Sequence, residues 1–215
     1  MANKLPDNIP DLLDYIRRVY DHQINAFGPV AKGVFWSSED RQTLSYEVLL
    51  KAICPEDLNG SVSIADFGCG YGALFDLLSA TPLMNNSRYI GFDISQKMIA
   101  TAQAKHKDSR AEFITSPIMT EIVDYTFVSG TYNMYMAADR ALWTHYIKVS
   151  LKMLWDKTQK ALAFNLLDFE TENKLDDLYY ADKQEFIKFA LTLTPEVEVI
   201  DGYKEMEFTL IVTKP

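Results

Sequence analysis

Alternating glycines follow an apolar segment in residues 66–72, which read DFGCGYG. Glycine lets the backbone approach a ligand closely, and the N-terminus of a following helix leaves N–H groups free to bind it. Asp93 ends the next apolar segment. A carboxylate at that place can accept hydrogen bonds from both hydroxyls of a ribose. These residues therefore predict a site for a nucleoside-containing cofactor.

The same glycines fit more than one class of cofactor. Gly68, Gly70 and Ala73 also satisfy the G-x-G-x-x-G/A pattern of dinucleotide sites. Tyr179 and Lys183 have the Tyr-x-x-x-Lys spacing that short-chain dehydrogenases use for proton transfer. The glycine turn lacks the T-G-x-x-x-G-x-G form of that family, and no serine stands at the upstream spacing it requires. A short-chain NAD(P)-dependent oxidoreductase stays as a remote alternative.

The elements that position these residues alternate between strand and helix from residue 62 onward. Short apolar strands separated by helical patterns predict βαβ units and a mainly parallel, doubly wound α/β sheet. The last two strands have no helix between them, so they must form a β-hairpin with one antiparallel strand. We expect strands near 62–67, 88–92, 111–115, 124–129, 160–166, 196–201 and 206–213, and helices near 71–79, 95–106, 139–156 and 174–193.

An N-terminal helical unit precedes the first strand. An i, i+3, i+4, i+7 apolar stripe predicts an amphipathic helix over residues 10–25, and a second helix is expected over about 39–54, before Pro55. The chain is therefore interpreted as a single domain, 1–215, with an N-terminal helical cap at 1–56 and an α/β core at 60–215.

Composition narrows the classes of partner. The chain has 215 residues, of which 48% are apolar and 24% charged, which suits one globular domain. Its net charge of −9 leaves no basic surface for phosphates, so we expect no nucleic acid and no membrane as partners. The oligomeric state does not follow from the sequence.

Cysteine and histidine spacing indicates neither a disulfide nor a metal site. Cys54 and Cys69 lie in unrelated contexts, and neither has a metal-like spacing to the three histidines. The chain shows no signal peptide and no run of roughly 20 apolar residues that could cross a membrane. We therefore expect metal-free chemistry in the cytoplasm.

The full string in residues 66–72 resembles the first motif of the class I S-adenosylmethionine-dependent methyltransferases. That motif is an acidic residue, an apolar residue and then G-x-G-x-G, and the resemblance extends over about residues 60–215 in order and spacing. It implies a Rossmann-like sheet of seven strands that ends in a β-hairpin. It also implies an enzyme that binds S-adenosylmethionine, releases S-adenosylhomocysteine and methylates a small-molecule metabolite or natural product.

The resemblance also implies which residues bind the cofactor. Many members have an aspartate after the third strand that accepts from the adenine amino group. Here Ser116 or Pro117 takes that place, so the Ser116 hydroxyl or the Ile118 backbone N–H would serve instead. The residues implied as cofactor ligands are Asp66, Gly68, Cys69, Gly70, Asp93, Ile94, Met98, Ser116, Ile118, Ser129, Gly130 and Thr131.

The methyl acceptor should bind beside the end of the fourth strand. Tyr132 and Asn133 are expected there, with Tyr20 and Trp36 from the helical cap. The N-P-P-Y type motif of enzymes that methylate exocyclic or amide nitrogens is absent, which disfavours nucleobases and protein glutamine as acceptors.

No residue is a compelling base for the reaction. His22, His145 and Asp168 are the candidates for a catalytic base. A catalytically idle cofactor-binding regulator or partner protein therefore stays open as the alternative to an enzyme.

Overall fold

The computed structural model describes residues 9–136, 138–204 and 206–215. Its strands are β1 (Ser63–Phe67), β2 (Arg88–Asp93), β3 (Ala111–Thr115), β4 (Val123–Val128), β5 (Thr158–Asp168), β6 (Tyr180–Ala181), β7 (Val197–Ile200) and β8 (Glu207–Thr213). Its α-helices are α1 (Ile9–Phe27), α2 (Glu39–Leu49), α3 (Ala73–Ser79), α4 (Gln96–Lys105), α5 (Arg140–Lys157) and α6 (Lys183–Leu191).

All eight strands belong to one sheet. Seven follow the order β3-β2-β1-β4-β5-β8-β7, and the two-residue β6 pairs with the end of β5. The pairs from β3 through β5 are parallel, whereas β8 runs antiparallel to both β5 and β7. The expected α/β class, the mainly parallel sheet and the terminal hairpin are confirmed.

The sheet separates two apolar cores. Ile64 of β1 packs with Leu74 of α3 and Ile99 of α4 on one face, while its neighbour Ala65 faces the core that contains α5 and α6. Successive side chains of a strand point to opposite faces, so helices on both sides bury most of the central strands β1 and β4, whereas the edge strand β3 stays partly exposed. Among the described residues, no helix combines the length and apolarity needed to cross a bilayer.

The N-terminal unit divides between these cores. Ile9 and Ile16 of α1 belong to the core that contains α5 and α6, whereas Tyr46 and Leu49 of α2 belong to the other. The chain therefore crosses the carboxyl ends of the strands between α1 and α2. Residues 1–8 of the proposed cap lie outside the described residues.

Polar residues set where four helices begin. The side chain of each N-cap accepts a hydrogen bond from a backbone N–H of the first turn, which would otherwise lack a partner. The caps are Ser38 before α2, Ser95 before α4, Asp139 before α5 and Asp182 before α6.

The helix expected at 174–193 is shorter than its apolar pattern suggests. It occupies Lys183–Leu191, and the preceding residues Tyr180 and Ala181 pair with the end of β5 instead. Asp182 accepts from the Glu185 N–H at 3.0 Å, which fixes the helix start after the buried strand. Tertiary burial of the tyrosine segment overrides its helical periodicity.

Burial in the central strands should dominate stability. Leu162 of β5 is completely buried, so Leu162→Ala should lower the free energy of unfolding in urea by about 2–5 kcal/mol through lost burial and a residual cavity. Val199→Ala on the edge strand β7 is the control and should cost less than about 1 kcal/mol. Equal losses for both variants would contradict this account of the core.

Candidate active site

A cavity of about 520 Å³ lies beyond the carboxyl ends of β1, β2 and β4. Its wall includes the turn after β1, the ends of β2 and β4, and side chains of α1, α2 and the β7–β8 hairpin. In an open α/β sheet this edge is the usual place for ligands.

The turn after β1 forms the floor of the cavity. Gly68 has φ +82°, and a Cβ built there would lie 2.3 Å from Thr131 Oγ1. The Gly68 and Cys69 N–H groups donate to the Phe92 carbonyl at 2.7 and 3.0 Å. The left-handed backbone and the close approach of Thr131 together require glycine at position 68.

Asp93 joins this turn to the following helix. Its Oδ2 accepts from the Gly70 N–H at 2.9 Å and its Oδ1 from the Ser95 N–H at 2.7 Å. Each oxygen keeps a second lone pair for a ligand, and the residue lines the cavity. Burial raises the pKa of Asp93 to about 6, so a ligand that donates hydrogen bonds would stabilise its charged form.

Asp66 lies behind the turn and is not part of the cavity wall. Its side chain is buried and accepts a hydrogen bond from the Tyr89 hydroxyl at 2.5 Å. Burial raises the pKa of Asp66 to about 7. The sequence predicts that Asp66 contacts the cofactor, but its side chain points into the core and bonds Tyr89. It therefore supports the turn from behind.

The end of β4 supplies the opposite wall. Ser129, Gly130 and Thr131 all line the cavity. The Gly130 N–H donates to Asn165 Oδ1 at 2.7 Å, and the Thr131 hydroxyl donates to the Phe67 carbonyl at 2.8 Å. These bonds hold the β4 loop against the turn after β1.

Residues after β2 and β3 lie beside Asp93. Ile94, Met98 and Ser116 line the cavity, but Ile118 does not. The Ile118 N–H donates to Ser116 Oγ at 3.2 Å, and that hydroxyl donates back to the Ile118 carbonyl at 2.7 Å. The expected ligand role of the Ile118 N–H is corrected, because this local turn already uses the group.

Three of the four predicted acceptor residues reach the cavity. Tyr20, Trp36 and Asn133 line it, and Asn133 Oδ1 is buried without a hydrogen-bond partner among the described residues. Tyr132 does not line it, because its buried ring packs in the core and its hydroxyl bonds Ser150 Oγ at 2.7 Å.

None of the three candidate bases lines the cavity. His22 and His145 are exposed on α1 and α5, because the apolar sides of these helices pack on the core. Asp168 forms an ion pair with Lys183 at 2.8 Å. The sequence-based proposals for a base are therefore corrected.

The structure also separates the Tyr-x-x-x-Lys pair. The Tyr179 hydroxyl bonds Thr144 Oγ1 at 2.6 Å, whereas the Lys183 ammonium pairs with Asp168. Neither residue lines the cavity, so this pair cannot act on a ligand there.

Two charged residues in the cavity wall were missed from the sequence. Lys204 and Glu207 come from the β7–β8 hairpin and are almost completely buried, with side-chain exposures of 5% and 3%. The available signal was a carboxylate at the start of the otherwise apolar strand β8. Within the described ranges, no group of three or more His, Cys, Asp or Glu side chains is arranged to hold a metal ion.

Comparisons with known proteins give consistent matches. A family described as a methyltransferase domain matches residues 64–163. Rv1506c of Mycobacterium tuberculosis, whose name assigns it provisionally to the methyltransferases, is 32% identical over 156 residues, which cover 71% of this chain and 93% of that protein.

Solved methyltransferase structures share the fold at low sequence identity. Magnesium protoporphyrin IX methyltransferase from Synechocystis, with bound S-adenosylhomocysteine, has a TM-score of 0.66 at 14% identity, covering 97% of this chain and all (100%) of that chain. Plantazolicin methyltransferase BpumL, in complex with S-adenosylhomocysteine and a desmethyl plantazolicin analogue, has a TM-score of 0.60 at 16% identity, covering 92% of this chain and 90% of that chain.

The buried carboxyl group of Asp66 should give the ligand-free protein a distinctive pH dependence. Its pKa rises from 3.8 to about 7 on folding, so its contribution to stability is complete below about pH 3.8 and is lost as the pH rises from there through about 7. Asp66→Asn should therefore gain roughly 2–3 kcal/mol of stability relative to wild type between pH ~5 and ~8, because part of the loss in wild type already occurs below pH ~5. Urea unfolding at both pH values measures the gain, and an unchanged difference would contradict it.

Proposed function

This chain belongs to the class I S-adenosylmethionine-dependent methyltransferases, and we propose that its methyl acceptor is a small molecule bound in the cavity beside the glycine turn. Bound S-adenosylmethionine supplies a sulfonium methyl group that is already electrophilic. The protein must therefore hold the acceptor in line with that group and exclude water.

The residues of the cavity fit this cofactor. Gly68 and Gly70 line the cavity and carry no side chain, so their backbone can contact a ligand directly. Asp93 keeps a free lone pair on each oxygen, suited to two ribose hydroxyls. On this proposal Ser116 lies toward the adenine, and Ser129, Gly130 and Thr131 lie toward the methionine part.

The cavity supports a compact, partly apolar acceptor. The wall beyond the turn includes apolar side chains from α1, α5 and the segment before β6, such as Ile16, Trp143 and Leu178. Its volume lies in the usual range of small-molecule sites, roughly 300–1,000 Å³. Two structural neighbours also support a small-molecule acceptor, because one is named as a methyltransferase of magnesium protoporphyrin IX and the other as a methyltransferase of plantazolicin.

The N-terminal helix encloses the ligand on this proposal. Leu13, Ile16 and Tyr20 of α1 line the cavity. Asp21 accepts from the Ser95 hydroxyl at 2.5 Å and from Arg17 at 2.6 Å, which ties α1 to the start of α4. A wall fastened in this way keeps water from the reacting atoms, which strengthens the electrostatic interactions within the site.

Cofactor identity can be tested by calorimetry. The protein should bind S-adenosylmethionine and S-adenosylhomocysteine but neither NAD nor NADP. Asp93→Ala should weaken S-adenosylhomocysteine binding by about 1.5–3 kcal/mol, because charge-assisted hydrogen bonds are lost. Asp76→Ala, an exposed site outside the cavity on α3, is the control and should bind like wild type. Unchanged binding by the Asp93 variant would place the ribose elsewhere.

Acceptor class can be tested with methyl-labelled S-adenosylmethionine. The protein is incubated with cell extract separated into metabolites, protein and RNA, and the label in each fraction is counted. We expect label in the metabolite fraction, because the site is a cavity of about 520 Å³ and the chain carries a net charge of −9 that repels polyanions. Label mainly in RNA or protein would overturn the small-molecule proposal.

A further inference from the structure

The cavity contains few side chains that could accept a proton from a bound acceptor. Burial raises the pKa of four tyrosines in the described wall and of Cys69, so all five stay protonated. Arg41 does not lose its proton in proteins, and Asp93 belongs to the proposed ribose site. Among the described wall residues, the other titratable groups are Lys204 and Glu207.

Glu207 is held rigidly by one of its oxygens. Its Oε1 accepts from Ser45 Oγ at 2.6 Å, the Tyr203 hydroxyl at 2.8 Å, Asn165 Nδ2 at 3.1 Å and Lys204 Nζ at 3.4 Å. Because four donors already converge on this oxygen, the carboxylate is fixed in place and anchors the neighbouring cation.

Lys204 is the cation that Glu207 anchors. Its ammonium also contacts Ser45 Oγ and lies 4.5 Å from the centre of the Trp36 ring. The side chain is only 5% exposed, yet the residue lines the cavity. Its amino group is therefore shielded from bulk water and accessible to a molecule inside the cavity.

The Lys204–Glu207 pair is connected to the place proposed for the methionine part of the cofactor. Asn165 donates to Glu207 and accepts from the Gly130 N–H at 2.7 Å. A Cβ at Gly130 would lie 3.3 Å from the Trp36 ring, on which the Lys204 ammonium packs. Lys204 is therefore connected to the Gly130 loop, beside the proposed methyl group, in two ways. One connection runs through Glu207 and Asn165, and the other through the Trp36 ring.

We propose that Lys204 is the general base that removes the proton from a phenolic hydroxyl of the acceptor, and that Glu207 is its positioning residue. This inference rests on the proposed small-molecule methyltransferase function. The acceptor O–H bond breaks and its proton goes to the lone pair of neutral Lys204 Nζ. The oxygen then forms the new bond to the methyl carbon as the carbon–sulfur bond breaks and leaves its electron pair on sulfur.

The chemistry of the pair favours a phenol over other acceptors. Proton transfer is efficient between groups of similar pKa, and a phenol near pKa ~10 matches a lysine. Carboxylic acids are already ionised at neutral pH and need no base. Aliphatic alcohols are such weak acids that a lysine amine does not deprotonate them. Aromatic walls such as Trp36, Trp143 and Tyr146 suit an aromatic ring.

The charges around Lys204 have opposing effects on its protonation. Burial lowers its pKa most, Glu207 raises it, and Arg41 of α2 lowers it further. The Tyr203 hydroxyl beside Glu207 has a raised pKa caused first by burial and stays neutral. The rate should therefore rise with pH as Lys204 loses its proton, below the ordinary lysine value of 10.5.

The test measures S-adenosylhomocysteine formed by the full chain with S-adenosylmethionine and each of phenol, para-cresol and para-nitrophenol, with benzoate and benzylamine as alternative acceptors. Wild type should methylate at least one phenol. Lys204→Met and Lys204→Arg should each lose about 100-fold or more in kcat with phenol and para-cresol, because neither side chain can take the proton. The loss should be smaller with para-nitrophenol, which is already largely ionised near neutral pH. Glu207→Gln should lower kcat and shift the pH profile to lower pH.

A matched control is available at Lys214. Its ammonium lies 3.9 Å from the Trp155 ring centre and burial lowers its pKa, but it is outside the cavity. Lys214→Met should therefore keep wild-type activity. Thermal melts confirm that each variant is folded, and Lys204→Arg preserves the charge beside Glu207 if Lys204→Met does not fold.

The outcomes separate this inference from the function on which it rests. Wild-type activity of Lys204→Arg with phenol and para-cresol would overturn the general base. Binding of S-adenosylhomocysteine without transfer to any of the phenols, or preferred transfer to benzoate or benzylamine, would overturn the acceptor class. Failure of the wild type to bind S-adenosylhomocysteine would instead overturn the cofactor assignment.

Discussion

The attachment of the glycine turn to the end of β2 is the contact on which the site depends. The Phe92 carbonyl accepts two N–H groups of the turn, and Asp93 accepts a third from Gly70. These bonds hold the turn after β1 in a conformation with positive φ angles at its glycines. Residues 68–70 of the turn face the cavity. Because Asp93 also accepts from the Ser95 N–H, the turn, the strand end and the start of α4 form one unit.

Buried charge is concentrated around this unit. Asp66 and Asp93 lie below and beside the turn, where burial raises the pKa of both. Lys204 and Glu207 lie across the cavity and are almost fully buried. Removing charged groups from water costs free energy unless partners compensate, and perturbed ionisable groups often mark functional sites. Burial of apolar side chains in the two cores of the sheet offsets the free energy needed to bury these charged groups.

The β7–β8 hairpin brings distant parts of the chain together. β8 enters the sheet beside β5, so Glu207 lies opposite Leu167. From that register its carboxylate reaches Ser45 of α2 and Asn165 of β5. The hairpin therefore completes the sheet and also contributes the charged side of the cavity.

The sequence by itself determined the fold class and the cofactor turn. Both depend on local chemistry, because strand and helix periodicity, alternating glycines and a carboxylate at a strand end are visible over short windows. The hairpin also followed from the sequence, since two strands with no helix between them can pair only as neighbours. The local pattern predicts a helix over 174–193, whereas the helix begins at Lys183, because the pairing of Tyr180 with β5 is a long-range effect.

Only the tertiary structure decided which polar side chains face the cavity. His22 and His145 face solvent, and Asp168 pairs with Lys183, although all three stand at suitable places in the sequence. Lys204 and Glu207 had no motif around them, and their partners come from α2, β5 and the segment before α2. Contacts between residues so far apart depend on sheet register and helix packing, which no local pattern contains.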